Sequence, residues 1–216
     1  MLFLVLLIEG ASLMAVELIA ARLVAPFYGN SLYVWTAVLC FSVAGLAFGY
    51  YAGGKLTRRY PFPRTLLIIL TVSSLLVFML PGTARAFISL TSGMELIPGI
   101  SLTVLALLVP PLTCFGTVGP LAVRLMSSTV ESTGKVSGKT YFISTFGGIL
   151  ATFIFGIWLI PLAGVKFSVG MTAAALALFP LINIASVPAR RKFRNSNPVP
   201  DPPKTKETRR ANYKYF

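Results

Sequence analysis

Three charged side chains, Glu9, Glu17 and Arg22, interrupt the first apolar run of the chain and are the residues best placed to do chemistry. A charge near the centre of a bilayer costs about 2.5 to 3.5 kcal/mol on insertion scales, so such groups face protein or water and often mark ion or proton routes. At roughly 100° per residue, Glu9 and Glu17 project within about 80° of each other and sit about 12 Å apart along a helix axis. They therefore line one side of the helix, an arrangement suited to a cation or proton pathway. The structural alternative is a carboxyl that pairs with a neighbouring cation or hydrogen-bonds in its protonated form. Arg22 lies about 140° around from Glu17 and is a poor partner within the same helix. Its long stem can snorkel outward or reach another helix.

Other chemistry is hard to assemble from these residues. The chain has no histidine, which removes the commonest general base and metal ligand. Cys40 and Cys114 both fall in apolar runs and offer neither a disulfide framework nor a metal-binding pair. Asp201 is the only aspartate. A dinucleotide or S-adenosyl site needs a glycine turn between a strand and a helix, whereas Phe146-Gly147-Gly148 is inside an apolar span. Serines and threonines lack a base to activate them. No catalytic, cofactor-binding or metal-binding residue is expected.

The elements that must position the carboxylates are membrane helices. Of the 216 residues, 56% are hydrophobic and 12% charged, and the mean hydropathy is +0.80. That is too apolar for a soluble domain of this length, and the apolar runs are continuous where barrel strands would alternate. A spanning helix needs about 20 apolar residues. Candidate spans fall at about residues 2–25, 31–52, 64–81, 98–126, 140–161 and 166–187, which predicts an all-α bundle of about six transmembrane helices. The run from Leu2 lacks a basic leader and a cleavage site and is expected to be retained as a helix. Residues 82–97 are less apolar and are expected along the outer surface. Pro110 and Pro111 predict a kink or an unwound turn in the fourth helix.

The net charge of +13 is concentrated in short connections and the tail, which is a membrane-orientation pattern and not a nucleic-acid surface. Lys55, Arg58, Arg59 and Arg64 flank the second connection, and Arg124, Lys135 and Lys139 the fourth. Arg190, Arg191, Lys192 and Arg194 open the tail, against only Arg85 and Lys166 on the other side. Both termini are expected in the cytoplasm, in a multi-pass protein of a bacterial inner membrane. Tyr28, Tyr33, Trp35 and Trp158 are expected as interfacial anchors. A transmembrane domain over 1–187 is followed by a basic tail over 188–216, whose Pro198, Pro200, Pro202 and Pro203 argue against independent folding. The Arg190, Arg191, Lys192 and Arg194 cluster suits anionic lipid or a cytoplasmic partner.

Gly45, Gly49 and Gly53 recur every fourth residue and form a flat stripe that lets another helix approach closely. Gly148, Thr152 and Gly156 repeat the device further on.

The run Glu17-Leu18-Ile19-Ala20-Ala21-Arg22-Leu23-Val24-Ala25-Pro26-Phe27-Tyr28-Gly29-Asn30-Ser31, with Trp35, Gly45-Leu46-Ala47-Phe48-Gly49-Tyr50 and Gly53-Gly54-Lys55-Leu56, resembles the N-terminal membrane domain of the fused MFS and spermidine-synthase-like family. Gly119-Pro120-Leu121-Ala122-Val123-Arg124-Leu125, Gly134, Gly138, Tyr141, Ser144-Thr145 and Gly147-Gly148 look like its fourth and fifth helices. Gly49 to Arg59 looks like a degraded form of the loop after the second helix of major-facilitator transporters, with Thr57 in place of the usual aspartate before Arg58. The resemblance implies a bundle like half of such a transporter, standing without the cytoplasmic synthase domain. It implies a non-catalytic module that recruits or serves a separate spermidine-synthase-like protein, or joins a larger membrane assembly. From the carboxylates comes a competing expectation, a small permease for a cationic solute such as a polyamine, completed by homodimerisation. A third is an accessory subunit that handles no solute.

Overall fold

The computed structural model of the chain describes residues 2–60, 62–127 and 130–184. The chain divides into two units, Met1–Ala185 and Ser186–Phe216. The tail residues Arg190, Arg191, Lys192 and Arg194 lie outside the described residues.

Helix α1 spans Leu2–Tyr28, α2 Leu32–Arg59, α3 Pro63–Thr91, α4 Leu96–Met126, α5 Val130–Phe153 and α6 Ile160–Ile184, with a stretch of π-helix, Ile154–Leu159, joining α5 to α6. In lipid a helix satisfies its backbone within one segment, so continuous apolar runs settle into this form. Glycine stops α1: Gly29 takes φ 78° and returns its N–H to the Ala25 carbonyl at 2.9 Å, a left-handed cap that glycine adopts without a Cβ clash. Pro63 opens α3 at a position where its missing N–H has no helical partner to lose.

The all-α membrane class holds, and the chain is a multi-pass membrane protein. The count of long apolar helical runs differs from the expected six. There are five among the described residues, because the last two expected spans are carried on one run over Thr133–Ile182. Within that run Gly164 is non-helical, at φ 82° and ψ 167°, between the two spans that hydropathy separates.

Residues 82–97 are not one surface segment: only 92–97 lie wholly exposed, at the α3–α4 turn, and the earlier part is helix. Helix α3 continues through Pro81 to Thr91 because Ala84, Ile88 and Thr91 are buried against the bundle, while Arg85 stays exposed. Nor does α4 unwind at Pro110 and Pro111, both of which lie inside the continuous helix. Neighbouring helices enclose this part of α4, with Leu107, Leu108, Leu112 and Phe115 fully buried, and such enclosure lets a membrane helix tolerate proline. Irregular helix falls at the π-helical stretch and at Gly164 instead.

Close packing between helices two apart or more organises the bundle. A Cβ on Gly45 would meet Leu112, one on Gly49 would lie 2.4 Å from the Thr113 carbonyl oxygen, and one on Gly53 would lie 2.9 Å from the Thr117 Cα. Contacts thus ascend both helices together, and α2 runs parallel to α4. Leu7 meets Gly147 and Leu18 meets Gly156, so α1 and α5 are parallel as well. Ser74 Oγ donates to the Ala173 carbonyl at 2.8 Å and links α3 to α6. Helix α1 touches every other helix, and this central place is what sets its carboxylates inside the bundle.

Tyr28 is not a free interfacial anchor. Its hydroxyl lies 2.5 Å from Thr91 Oγ1 and 3.4 Å from Thr103 Oγ1, tying the end of α1 to α3 and α4. Trp35 Nε1 donates to Asn30 Oδ1 at 2.9 Å across the α1–α2 turn.

Candidate functional site

The α1–α2 hairpin sets the depths of the polar groups. Glu17 is eleven residues before Tyr28, and Ser42 is ten after Leu32. At 1.5 Å per residue, each lies about 15 Å below the turn, near the middle of a hydrocarbon core about 30 Å thick. Glu9 and Tyr50 lie about 27 Å below it, close to the opposite boundary. Two polar layers result, separated by about 12 Å along α1.

In the deeper layer Glu9 is 5% exposed. Ser144 Oγ of α5 donates to Glu9 Oε2 at 2.9 Å. The contact exists because α1 and α5 nearly touch: a Cβ on Gly10 would sit 1.9 Å from the Ser144 carbonyl oxygen, and one on Gly147 would sit 2.2 Å from the Leu7 carbonyl oxygen. The Tyr50 phenol is within electrostatic reach of Glu9 and Tyr141. Both tyrosines are about half exposed, so this layer opens between α2 and α5.

At mid-depth Glu17 is half-buried and faces the Ser42 hydroxyl of α2. Ser42 is 2% exposed, and its Oγ reaches the Glu17 carboxyl without the close, aligned geometry of the other buried hydroxyl bonds. Most other hydroxyls inside the helices bond back to the carbonyl four residues earlier, as Ser73 does to Ile69 and Thr172 to Ser168. Ser42 instead turns away from its own backbone and towards the carboxylate. Glu17 and Arg22 form no ion pair among the described residues, and Arg22 is exposed about 9 Å from the end of α1, within snorkelling reach of the boundary.

The expected packing glycines divide into two groups. Gly45, Gly49 and Gly53 lie against α4, and Gly148 lies against Gly10 and Met14, whereas the nearest atom to a Cβ on Gly156 is Leu18 Cδ1 at 3.9 Å. Gly156 is therefore not a close-approach position: it sits in the π-helical stretch, where the α5 register slips relative to α1. Sequence reasoning missed Ser144, Ser42, Tyr50, Tyr141, Gly10 and Gly147 as parts of the site. For Ser42 a signal exists in the equal distances of Glu17 and Ser42 from the hairpin turn. For Ser144 none exists, because 135 residues separate it from Glu9.

Among the described residues, no group of three His, Cys, Asp or Glu side chains is placed to hold a metal ion. No protein-family model, curated protein or solved structure matches the chain. What the arrangement can do chemically is accept hydrogen bonds and balance positive charge at two depths of a membrane bundle.

Proposed function

We propose that this chain is a non-catalytic membrane module that works within a larger assembly, in a bacterial cytoplasmic membrane, with both termini on the cytoplasmic side. Glu17 carries the proposal: it is a half-buried carboxyl at mid-depth, without an ion partner among the described residues, and its open side must meet water or another protein and not lipid. A spermidine-synthase-like protein is the cytoplasmic partner that the sequence resemblance implies. The orientation is supported by Lys55, Arg58, Arg59, Arg64, Arg124, Lys135 and Lys139 at one set of helix ends, against Arg22, Arg85 and Lys166 at the other. It takes the break at Gly164 as the turn between two crossings. Native mass spectrometry of the gently solubilised complex from its own membrane tests the proposal. Co-purifying subunits are the expected result, and a chain that arrives alone or only as a homodimer overturns it.

A second reading, a small permease for a cationic solute, is favoured by Glu17 and Ser42 sharing one depth. Midplane sites between repeats are usual in transporters, and a homodimer would provide the second repeat. Glu17→Gln in proteoliposomes is expected to abolish uptake of a radiolabelled polyamine, and uptake unchanged by the substitution, or absent from the wild type, rejects this reading.

A further inference from the structure

We infer that the face of the bundle between α2 and α5 receives a transmembrane helix of a different chain, one that carries a lysine or arginine at the depth of Glu17. The inference rests on the reading of this chain as part of a larger assembly, and it names the surface and the chemistry of the neighbour. The surface is a groove. Helices α1 and α4 pack on each other, α3 and α6 back them, and α2 and α5 flank them, yet among the described residues no Cα of α2 comes within 8 Å of one of α5. On the floor, a Cβ added to Gly119 of α4 would find only Tyr141 Cε1 within 4 Å, at 3.9 Å. Tyr141, Thr145 and Thr152 fall within about 40° around α5 at 100° per residue, and all three are exposed. Thr152 stands eight residues past Ser144, as Glu17 stands eight past Glu9, so the parallel helices set Thr152 and Glu17 at one depth. Tyr50 is exposed on the opposite wall.

Lipid is the wrong cover for this groove. The exposed side chains of α6 over residues 167–181 are Phe167, Met171, Ala174, Leu178 and Leu181, an apolar face of the kind that lipid covers. A carboxyl at hydrocarbon depth faces protein or water, and water alone cannot cover a groove that opens sideways into lipid. Charge then selects the occupant. A second copy related by a two-fold axis along the membrane normal would set Glu17 opposite Glu17, because equal residues lie at equal depths. The described Lys and Arg side chains all lie toward one or other set of helix ends, so this chain supplies no counter-charge at mid-depth. A helix of another chain with a basic residue there does, and intramembrane charges are characteristically paired with one another.

Photocross-linking of the full chain in its own membrane tests the surface, with benzoylphenylalanine placed at Thr145 in the groove or at Met171 on α6. Thr145 is expected to capture another chain and Met171 none. The captured peptide, read by mass spectrometry, should belong to an apolar span of about 20 residues with a lysine or arginine near its middle. Glu17→Gln should lower capture at Thr145 at least roughly tenfold, and so should neutralising that basic residue, since each change strands the other charge in the membrane. The two changes together should do no worse than either alone. Capture of a second copy of this chain, of a segment without a basic residue, or of nothing at Thr145 overturns the inference, as does capture unchanged by Glu17→Gln. If Glu17→Gln does not fold, the charge of the segment captured by the chain with Glu17 intact decides. Subunits that co-purify but cross-link only at Met171 reject this surface and leave the assembly standing, whereas a chain that arrives alone or only as a homodimer rejects the assembly itself.

Discussion

Ser144 and Glu9 meet across 135 residues of sequence, the serine hydroxyl donating to Oε2 at 2.9 Å. The same serine's carbonyl fills the space where a side chain on Gly10 would begin. A buried carboxyl and a glycine contact are thus one feature, since the hydrogen bond is possible only where the two backbones nearly touch.

Ser144→Ala should leave the Glu9 carboxyl without a side-chain donor. Stranding a buried polar group costs about 1 to 3 kcal/mol. Thermal unfolding in detergent, followed by size-exclusion elution, should show a melting temperature several degrees lower. An unchanged value would mean that water or another donor replaces the serine.

Gly10→Ala and Gly147→Ala should each separate α1 from α5, because the added carbon would fall 1.9 and 2.2 Å from backbone oxygens that cannot yield as a flexible side chain does. Overpacking of this kind costs about 1 to 3 kcal/mol or more. Gly156→Ala has its nearest neighbour at 3.9 Å and should melt as wild type. The contrast, read in one detergent, checks the parallel docking of α1 on α5.

Gly49→Ala should destabilise the α2–α4 pair, with its new carbon 2.4 Å from the Thr113 carbonyl oxygen, while Gly54→Ala meets nothing within 4 Å. A glycine-to-alanine change in an open helical position is neutral or mildly stabilising, by up to about 1 kcal/mol. Opposite signs for the two neighbours are therefore expected in the same melting assay, and like signs would contradict the packing.

Much of this architecture was legible beforehand, and the failures have physical causes. Hydropathy located the starts of α1 to α4 to within a few residues, since lipid demands a long apolar run and little else. It ended the third helix too soon because Pro81, Gly82 and Arg85 lower the local average. Burial of Ala84, Ile88 and Thr91 then carries α3 another two turns and more. The Gly45, Gly49 and Gly53 stripe could be read because its period is that of one helix face. Gly10 could not, since a single glycine has no period and its meaning lies in Ser144. Likewise Glu9 and Glu17 stood out as charges in an apolar run, while the serines opposite them did not.

Tyr28→Phe should remove the hydroxyl that bridges α1 to Thr91 and Thr103. The expected loss is about 0.5 to 1.5 kcal/mol per hydrogen bond, with faster hydrogen exchange at the adjoining ends of α3 and α4. Exchange unaltered there would show that the apolar contacts alone hold those ends together.

The parallel pairing of α1 with α5 also bears on how the protein is made. Helices enter the membrane in the order of synthesis, so α1 must wait, with Glu9 uncapped, until α5 emerges more than a hundred residues later. During that interval the carboxyl needs shelter in the insertion machinery or in a transient pairing with α2, α3 or α4. A truncation ending before residue 130 would strand it in that state, and quality-control proteases would be the natural readers of the exposed charge.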